Sequence, residues 1–314
     1  MSRSHHEPLV SIIIPTRDRM DTLPRVTAAL EPLVTDRAFE VVVVDDGSAG
    51  PTKDWLDRWS ERVESTVIHP EHRGPAAARN CGVRVARAPW VAFLGDDTVP
   101  ESGWAEQIRR CAAGDPRAGC DNAWVGHVRW HPRLRVTRFM DWIHQDGLQF
   151  GFGLIDDPDD LPFNLLYTSN LLIPRRLLEL EPFDEGFPYA AYEDTELGYR
   201  LQNRGLRLRY LPTAVVAHDH PTTIARFTGR QWRAGFAAVH FRRLHPQMHW
   251  FVRLPAVGPP PPRSRAELAL GTAVARVLEP FPIQLPQLWS KVLDGYFDCG
   301  ARAALRQSWS AERA

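Results

Sequence analysis

Two adjacent acid pairs, Asp45-Asp46 and Asp96-Asp97, each lie at the end of a short apolar run and beside a glycine. In Asp45-Asp46-Gly47-Ser48 a carboxylate can accept a hydrogen bond from the imide or amide N–H of a nucleobase, while Gly47 lets the backbone turn. A plain Asp-Gly turn has the same residues. In Gly95-Asp96-Asp97 two neighbouring carboxylates repel unless a cation stands by, and hard divalent ions favour such oxygens. A solvated loop is the alternative. A third pair, Glu193-Asp194, opens a helical pattern and suits a general base, although acids are common in a first helical turn for dipole reasons alone. His218-Asp219-His220 follows an apolar run and offers an imidazole to a metal, in a chain with 12 histidines. Arg73, Arg79 and Asn80 flank the start of an Ala-rich segment, where an arginine can clamp a diphosphate or lie on the surface.

The elements that must position these groups follow from periodicity. Apolar runs predict strands at Val10–Ile14, Phe39–Val44, Ser65–His69, Trp90–Leu94 and Thr213–Ala217. Helical spacing predicts helices over residues 21–32, Pro51–Arg62 and Pro75–Arg87. Short all-apolar strands alternating with helices imply an α/β chain with a mostly parallel central sheet and helices on both faces. Ligands of such sheets bind beyond the carboxyl ends of the strands, where both Asp pairs fall. Glu193 and Asp194 precede Leu197 by four and three residues, so both fit the inward side of one helix. The first-turn position lowers a carboxylate's pKa, and the neighbouring acid raises it.

Composition narrows the chemistry. The formal net charge is zero, which argues against wholesale binding to nucleic acid. The chain has 36 arginines and only two lysines, Lys53 and Lys291, neither behind a glycine-rich loop, so a P-loop is excluded. Residues 141–198 carry 13 acids and two arginines, net −11; residues 200–253 carry ten arginines and one acid, net +9. Either one region serves a cation and the other phosphates, or the two pair with each other. Cys81, Cys111, Cys120 and Cys299 have no zinc spacing and read as free thiols. No apolar run reaches the length of a membrane span and the N-terminus lacks a signal-peptide core, so the expected location is cytoplasmic. The segment PAVGPPPP at 255–262 reads as a stiff linker, followed by helices over Arg265–Leu278 and Leu285–Arg306.

The order of these groups resembles the family 2 glycosyltransferases of the GT-A fold. The matching stretches are Ser11–Arg17, Val42–Ser48, Gly74–Gly82, Val91–Pro100, Ser169-Asn170-Leu171 and Phe183–Gly205, with His218 beyond. The resemblance covers about residues 9–244. It implies a GT-A domain over 1–250, with a nucleotide-sugar-binding half to about 130 and an acceptor-side half from about 131. A Pro-rich linker over 251–262 and a helical C-terminal extension over 263–314 would follow. Pro15, Thr16 and Arg17 would line the nucleoside pocket, Asp46 would read the base with Asp45 in support, and Arg79 would lie near the diphosphate. Asp97 would bind Mn²⁺ or Mg²⁺ as the last acid of the family's Asp-x-Asp motif, with His218 as a further ligand. Asp194, with Glu193 beside it, would be the catalytic base. The usual first acid of Asp-x-Asp is Gly95 here, and its ribose contact would fall to Asp96.

The implied activity is metal-assisted, inverting transfer of a sugar from a nucleoside-diphosphate sugar to an acceptor hydroxyl. A catalytically silent nucleotide-sugar-binding module and a sugar nucleotidyltransferase are the alternatives. The acceptor is open among a saccharide, a lipid-linked molecule and a small molecule. The aromatic tail is expected to dock on another surface, as a homo-oligomer or over the acceptor side. Peripheral contact with the inner face of the membrane ranks below these.

Overall fold

The computed structural model describes residues 7–63, 65–69, 71–114, 121–145 and 148–311. The first half alternates β1 (Val10–Thr16), α1 (Leu23–Val34), β2 (Phe39–Asp45), α2 (Pro51–Arg62), β3 (Thr66–Ile68), α3 (Pro75–Val85) and β4 (Trp90–Leu94). Then follow β5 (Thr98–Pro100), α4 (Trp104–Ala113), β6 (Asn122–Trp130), α5 (Arg138–Gln145), β7 (Asn170–Pro174), α6 (Arg175–Leu180), α7 (Glu193–Asn203) and β8 (Arg207–His218). The chain continues through α8 (Ile224–Leu244), α9 (Arg265–Leu278) and α10 (Pro286–Ala311).

Two compact units divide the described residues. The first comprises residues up to 134 with 155–185 and 194–220, and it holds one sheet in the order β3-β2-β1-β4-β7-β6-β8-β5. The expected mostly parallel sheet is present. The β3-β2-β1-β4 half is parallel throughout, and β6 runs parallel to β8. The other three pairings are antiparallel. Apolar runs are unbroken where both faces of the sheet are covered. Val41 to Val44 and Ile12 to Ile14 are at most 1 % exposed, so neither face needs polar residues. Buried Asn170 crosses the far half of the sheet. Its amide donates to the carbonyls of His127 and Ala214, and its oxygen accepts from the Trp104 indole at 2.9 Å. The motif Ser169-Asn170-Leu171 therefore ties strands and α4 together.

The second unit comprises residues 135–154, 186–193 and 221 onward. Here α10 packs along α8. Trp289 is buried against Phe139 and Trp142, and Phe139 in turn meets Phe227 of α8 edge-on. The docking expected of the tail is thus partly internal to this unit. The unit boundary lies at 220/221, so α8 clusters with the C-terminal helices rather than with the sheet. The expected linker is also pinned. Arg242 donates to the carbonyls of Pro255 and Gly258, and Arg302 donates to that of Pro260 at 2.8 Å. A polyproline-like segment has no internal hydrogen bonds, so its carbonyls are available to such donors. The tail beyond it contains a single helix from Pro286 to Ala311, and α9 leaves Leu270 and Val277 68 % exposed.

Cys81, Cys111 and Cys299 are half-buried, and Cys120 lies outside the described residues. Part of the charge segregation resolves into pairing. Arg200 contacts Glu181 and Glu196, Arg204 contacts Glu181, and Arg209 contacts Asp159 at 2.8 Å. Among the described residues no helix is long and apolar enough to cross a membrane.

Candidate active site

Strand register brings the acid pairs to one edge of the sheet. Thr16 at the end of β1 pairs with Asp45 at the end of β2, and the Thr16 carbonyl accepts from the Asp46 amide at 2.9 Å. The two following loops latch reciprocally: Asp18 N donates to Ser48 Oγ, and Ala49 N donates to Asp18 Oδ1. Gly47 takes φ 76° with its ideal Cβ direction 3.0 Å from His72 Cβ, so a side chain is excluded on both counts.

Asp45 and Asp46 are both buried, and both meet histidines. Asp45 Oδ2 lies 2.8 Å from His69 Nδ1, whose Nε2 faces Asp57 at 3.0 Å. Asp46 accepts from the amides of Arg73 at 2.8 Å and Gly74 at 3.0 Å, and it lies 2.8 Å from His72 Nδ1. Arg17 Nη1 donates to His72 Nε2, so the His72 proton belongs on Nδ1, toward Asp46. The expected pocket residues Pro15, Thr16, Arg17, Asp45 and Asp46 therefore share one strand-end cluster. The pair's lone pairs, however, largely serve the chain's own loop.

Asp96 and Asp97 are arranged differently. Thr98 pairs with His218 across β5 and β8, and the Asp219 amide donates to the Asp97 carbonyl at 2.7 Å. This sets His218 Nε2 3.5 Å from Asp97 Oδ2. The Ser169 carbonyl, accepting from Thr98 Oγ1 at 3.0 Å, holds the turn from below. Arg19 spans the group: Nε donates to Asp96 Oδ1 at 3.2 Å, Nη2 to Asp97 Oδ2 at 2.9 Å, and Nη1 to His220 Nδ1 at 3.2 Å. Burial pushes the Asp96 carboxyl up to about 6, with the Asp97 charge adding to the rise and Arg19 opposing it. Burial also raises Asp97, but His218, Arg19 and His220 together outweigh it and hold Asp97 below the ordinary carboxylate range. A Cβ at Gly95 would stand 3.0 Å from Asp97 Oδ1, so a side chain there would press on the Asp97 carboxylate.

Asp219, with its side chain fully buried, sits between the guanidinium groups of Arg25 and Arg133 and anchors the strand end that carries the two histidines. Asn80 binds both backbone groups of Phe183, at 2.9 Å each. This seats Arg79, itself buried, over the Phe183 ring at 5.4 Å. Asp194 is half-buried at the start of α7, and Glu193 is 2 % exposed. Desolvation raises the Asp194 pKa despite the opposing charge of Arg79 and amide donors, including that of Thr195 at 2.9 Å. Burial therefore outweighs the first-turn effect. Tyr192, at φ 68°, enters the helix through a left-handed conformation that costs about 1–3 kcal/mol, the kind of strain that gathers at functional sites.

Arg19, His69, His72, Arg25 and Arg133 were not singled out from the sequence. Arg19 had a signal, since it lies two residues past Arg17 in the same loop after a strand. The others are recognisable only through their contacts. Among the described residues no three His, Cys, Asp or Glu side chains are grouped closely enough to hold a metal ion unaided. Asp97 and His218 nevertheless supply a carboxylate oxygen and an imidazole nitrogen side by side. Such a mixed donor pair can hold a divalent cation when ligand oxygens complete the shell.

The eight strands thus form a mixed sheet with acids at several of its strand ends, in an α/β arrangement. Residues 11–160 match the model of Glycosyl transferase family 2. The pre-mycofactocin glycosyltransferase of Mycobacterium tuberculosis is 31% identical over 258 residues, covering 77% of this chain and 49% of the relative. The validoxylamine A glucosyltransferase of Streptomyces hygroscopicus is 32% identical over 230 residues, covering 64% of this chain and 53% of the relative. A mannosyltransferase of Pyrobaculum calidifontis, solved with GDP-Man and Mn²⁺, superposes with TM-score 0.60 at 20% identity over 95% of this chain and 87% of that one. Residues 11–160 carry the glycosyltransferase family 2 sequence, and the chain has the GT-A fold. It spans about half the length of the curated relatives it matches.

Proposed function

We propose that this chain transfers a sugar from a nucleoside-diphosphate sugar to an acceptor hydroxyl, inverting the anomeric carbon by direct displacement. The observation that carries the reading is the meeting of Asp97 and His218, 3.5 Å apart beside Asp96 at the sheet edge. The related glycosyltransferases, and the Mn²⁺ and GDP-Man in the Pyrobaculum structure, support it.

In this reading Pro15, Thr16, Arg17, Asp45 and Asp46 form the nucleoside end of the pocket. A carboxylate at Asp46 suits uracil, thymine or guanine, each of which offers an N–H. Asp96 holds the ribose and Arg79 the diphosphate. A divalent cation held by Asp97 and His218, Mn²⁺ or Mg²⁺, would supply charge compensation where the leaving diphosphate gains negative charge. Asp194 takes the proton of the acceptor hydroxyl as the new bond forms, with Glu193 beside it. Its raised pKa makes it a stronger base than a solvated aspartate. The acceptor is a saccharide, a lipid-linked molecule or a small molecule.

A panel of UDP-, TDP- and GDP-sugars, assayed for release of nucleoside diphosphate with Mn²⁺, tests the reading. One donor should be turned over, with loss of turnover on chelation and in Asp97→Asn. Turnover of none of them would overturn the reading. Turnover indifferent to chelator would remove the metal from it.

A further inference from the structure

Three candidates stand apart from the roles above: the Arg19 bridge, the buried Asp219 between two arginines, and the exposed apolar stripe of α9. Asp219 has its charge fully matched by Arg25 and Arg133, which accounts for it as an anchor. Nothing on α9 says what covers it. Arg19 is different, because its cation lies against the same carboxylates that the proposed metal needs.

We propose that Arg19 is an exchangeable internal cation. It neutralises Asp96 and Asp97 until a divalent ion takes its place, and it then turns to the donor's diphosphate. The inference rests on the metal reading of Asp97 and His218 given above. Three contacts support it: Nε to Asp96, Nη2 to Asp97 and Nη1 to His220. Asp97 Oδ2 faces both Arg19 Nη2 at 2.9 Å and His218 Nε2 at 3.5 Å, so an ion bound by Asp97 and His218 would crowd the guanidinium. Two cations that close repel strongly in a half-buried site, so one must withdraw. The Arg19 side chain is 28% exposed, which leaves it a way out. Its planar fork then matches a diphosphate as well as it matched two carboxylates. Metal and donor would thereby be coupled: the ion frees the arginine, and the donor keeps the arginine from returning.

The test is Mn²⁺ binding by full-length protein, read by electron paramagnetic resonance without nucleotide and then by calorimetry with UDP and GDP at saturating Mn²⁺. Arg19→Gln should bind Mn²⁺ alone about fivefold tighter or more than the parent, within the usual range of such couplings. It should bind the preferred nucleoside diphosphate more weakly, by about fivefold or more. Arg19→Lys keeps the charge without the fork and should fall between the two; it also serves if Arg19→Gln folds poorly. Asp97→Asn separates the two readings. If it loses Mn²⁺ binding while the Arg19 variants bind Mn²⁺ no tighter than the parent, the exchange is wrong and the metal site stands. If Asp97→Asn binds Mn²⁺ like the parent, the metal site itself is wrong, and the exchange falls with it.

Discussion

Asp45-Asp46 and Asp96-Asp97 are the same dipeptide near the ends of two parallel strands, and the fold treats them in opposite ways. The first pair is divided: each carboxylate has its own histidine, and Asp46 also takes two backbone amides. The second pair is shared: one guanidinium spans both acids, and two histidines from the end of β8 lie against the Asp97 side. A carboxylate that accepts backbone amides is fixed by its loop, where it can still offer a lone pair to a base N–H but not serve a cation, and removing it orphans buried donors. A carboxylate satisfied by a partly exposed side chain remains available to a competing cation. Identical residues at equivalent places therefore report opposite capacities, and only their partners tell them apart.

The comparison can be broken by removing one acid from each pair. Asp97→Asn should lower glycosyl transfer by about a hundredfold or more, the several kcal/mol expected of lost charge compensation at a leaving diphosphate. It should cost some thermal stability, but less than it costs transfer, because Arg19, His218 and His220 favour the ionised Asp97. Equal losses of stability and activity would mean that this pair is structural as well. Asp194→Asn extends the comparison to the third acid pair. Transfer should fall by about a hundredfold with donor affinity retained, the usual scale of a general base. The sign of the pH effect follows from its raised pKa: a base that protonates more readily is lost earlier on acidification. The acid limb of kcat/KM should lie above the pH at which an exposed aspartate titrates, and it should vanish in the variant. Glu193→Gln should cost less; if it costs more, the two acids have exchanged roles. Asp46→Ala should show the smallest chemical effect of the three and a distinct stability effect. Removing the acceptor of two loop amides and His72 should cost about 1–3 kcal/mol in denaturant unfolding. An unchanged midpoint would show that water or a neighbour replaces the carboxylate.

Much of this arrangement was legible in the residue order. The strands β1, β2 and β4 were readable because both of their faces are covered, and that leaves an unbroken apolar run. The three acid pairs and His218 were readable because they end such runs or open helices. The far half of the sheet was harder. In β6 buried positions mix with half-buried and exposed ones, and β5 has only three residues, so neither shows a clean period. The contacts that distinguish the acid pairs were not legible at all. His72 and Asp46 are 26 residues apart, and Arg19 and Asp97 are 78 apart. Such pairs are created by the register of β1, β2 and β5 rather than by local spacing. The same holds for residues 255–262, whose composition implies a stiff linker but not the Arg242 and Arg302 contacts that hold it.

The central claim is that the Asp97–His218 end of the sheet binds a nucleotide donor through a divalent ion. Thermal unfolding of the full chain with a nucleoside diphosphate, with Mn²⁺ or with chelator, tests it most directly. A ligand at 100 times its dissociation constant stabilises the folded state by about 2.7 kcal/mol. The account predicts a clear rise with nucleotide and Mn²⁺, a much smaller one with chelator, and no difference between the two in Asp97→Asn. Equal rises with and without metal in the parent protein would contradict it.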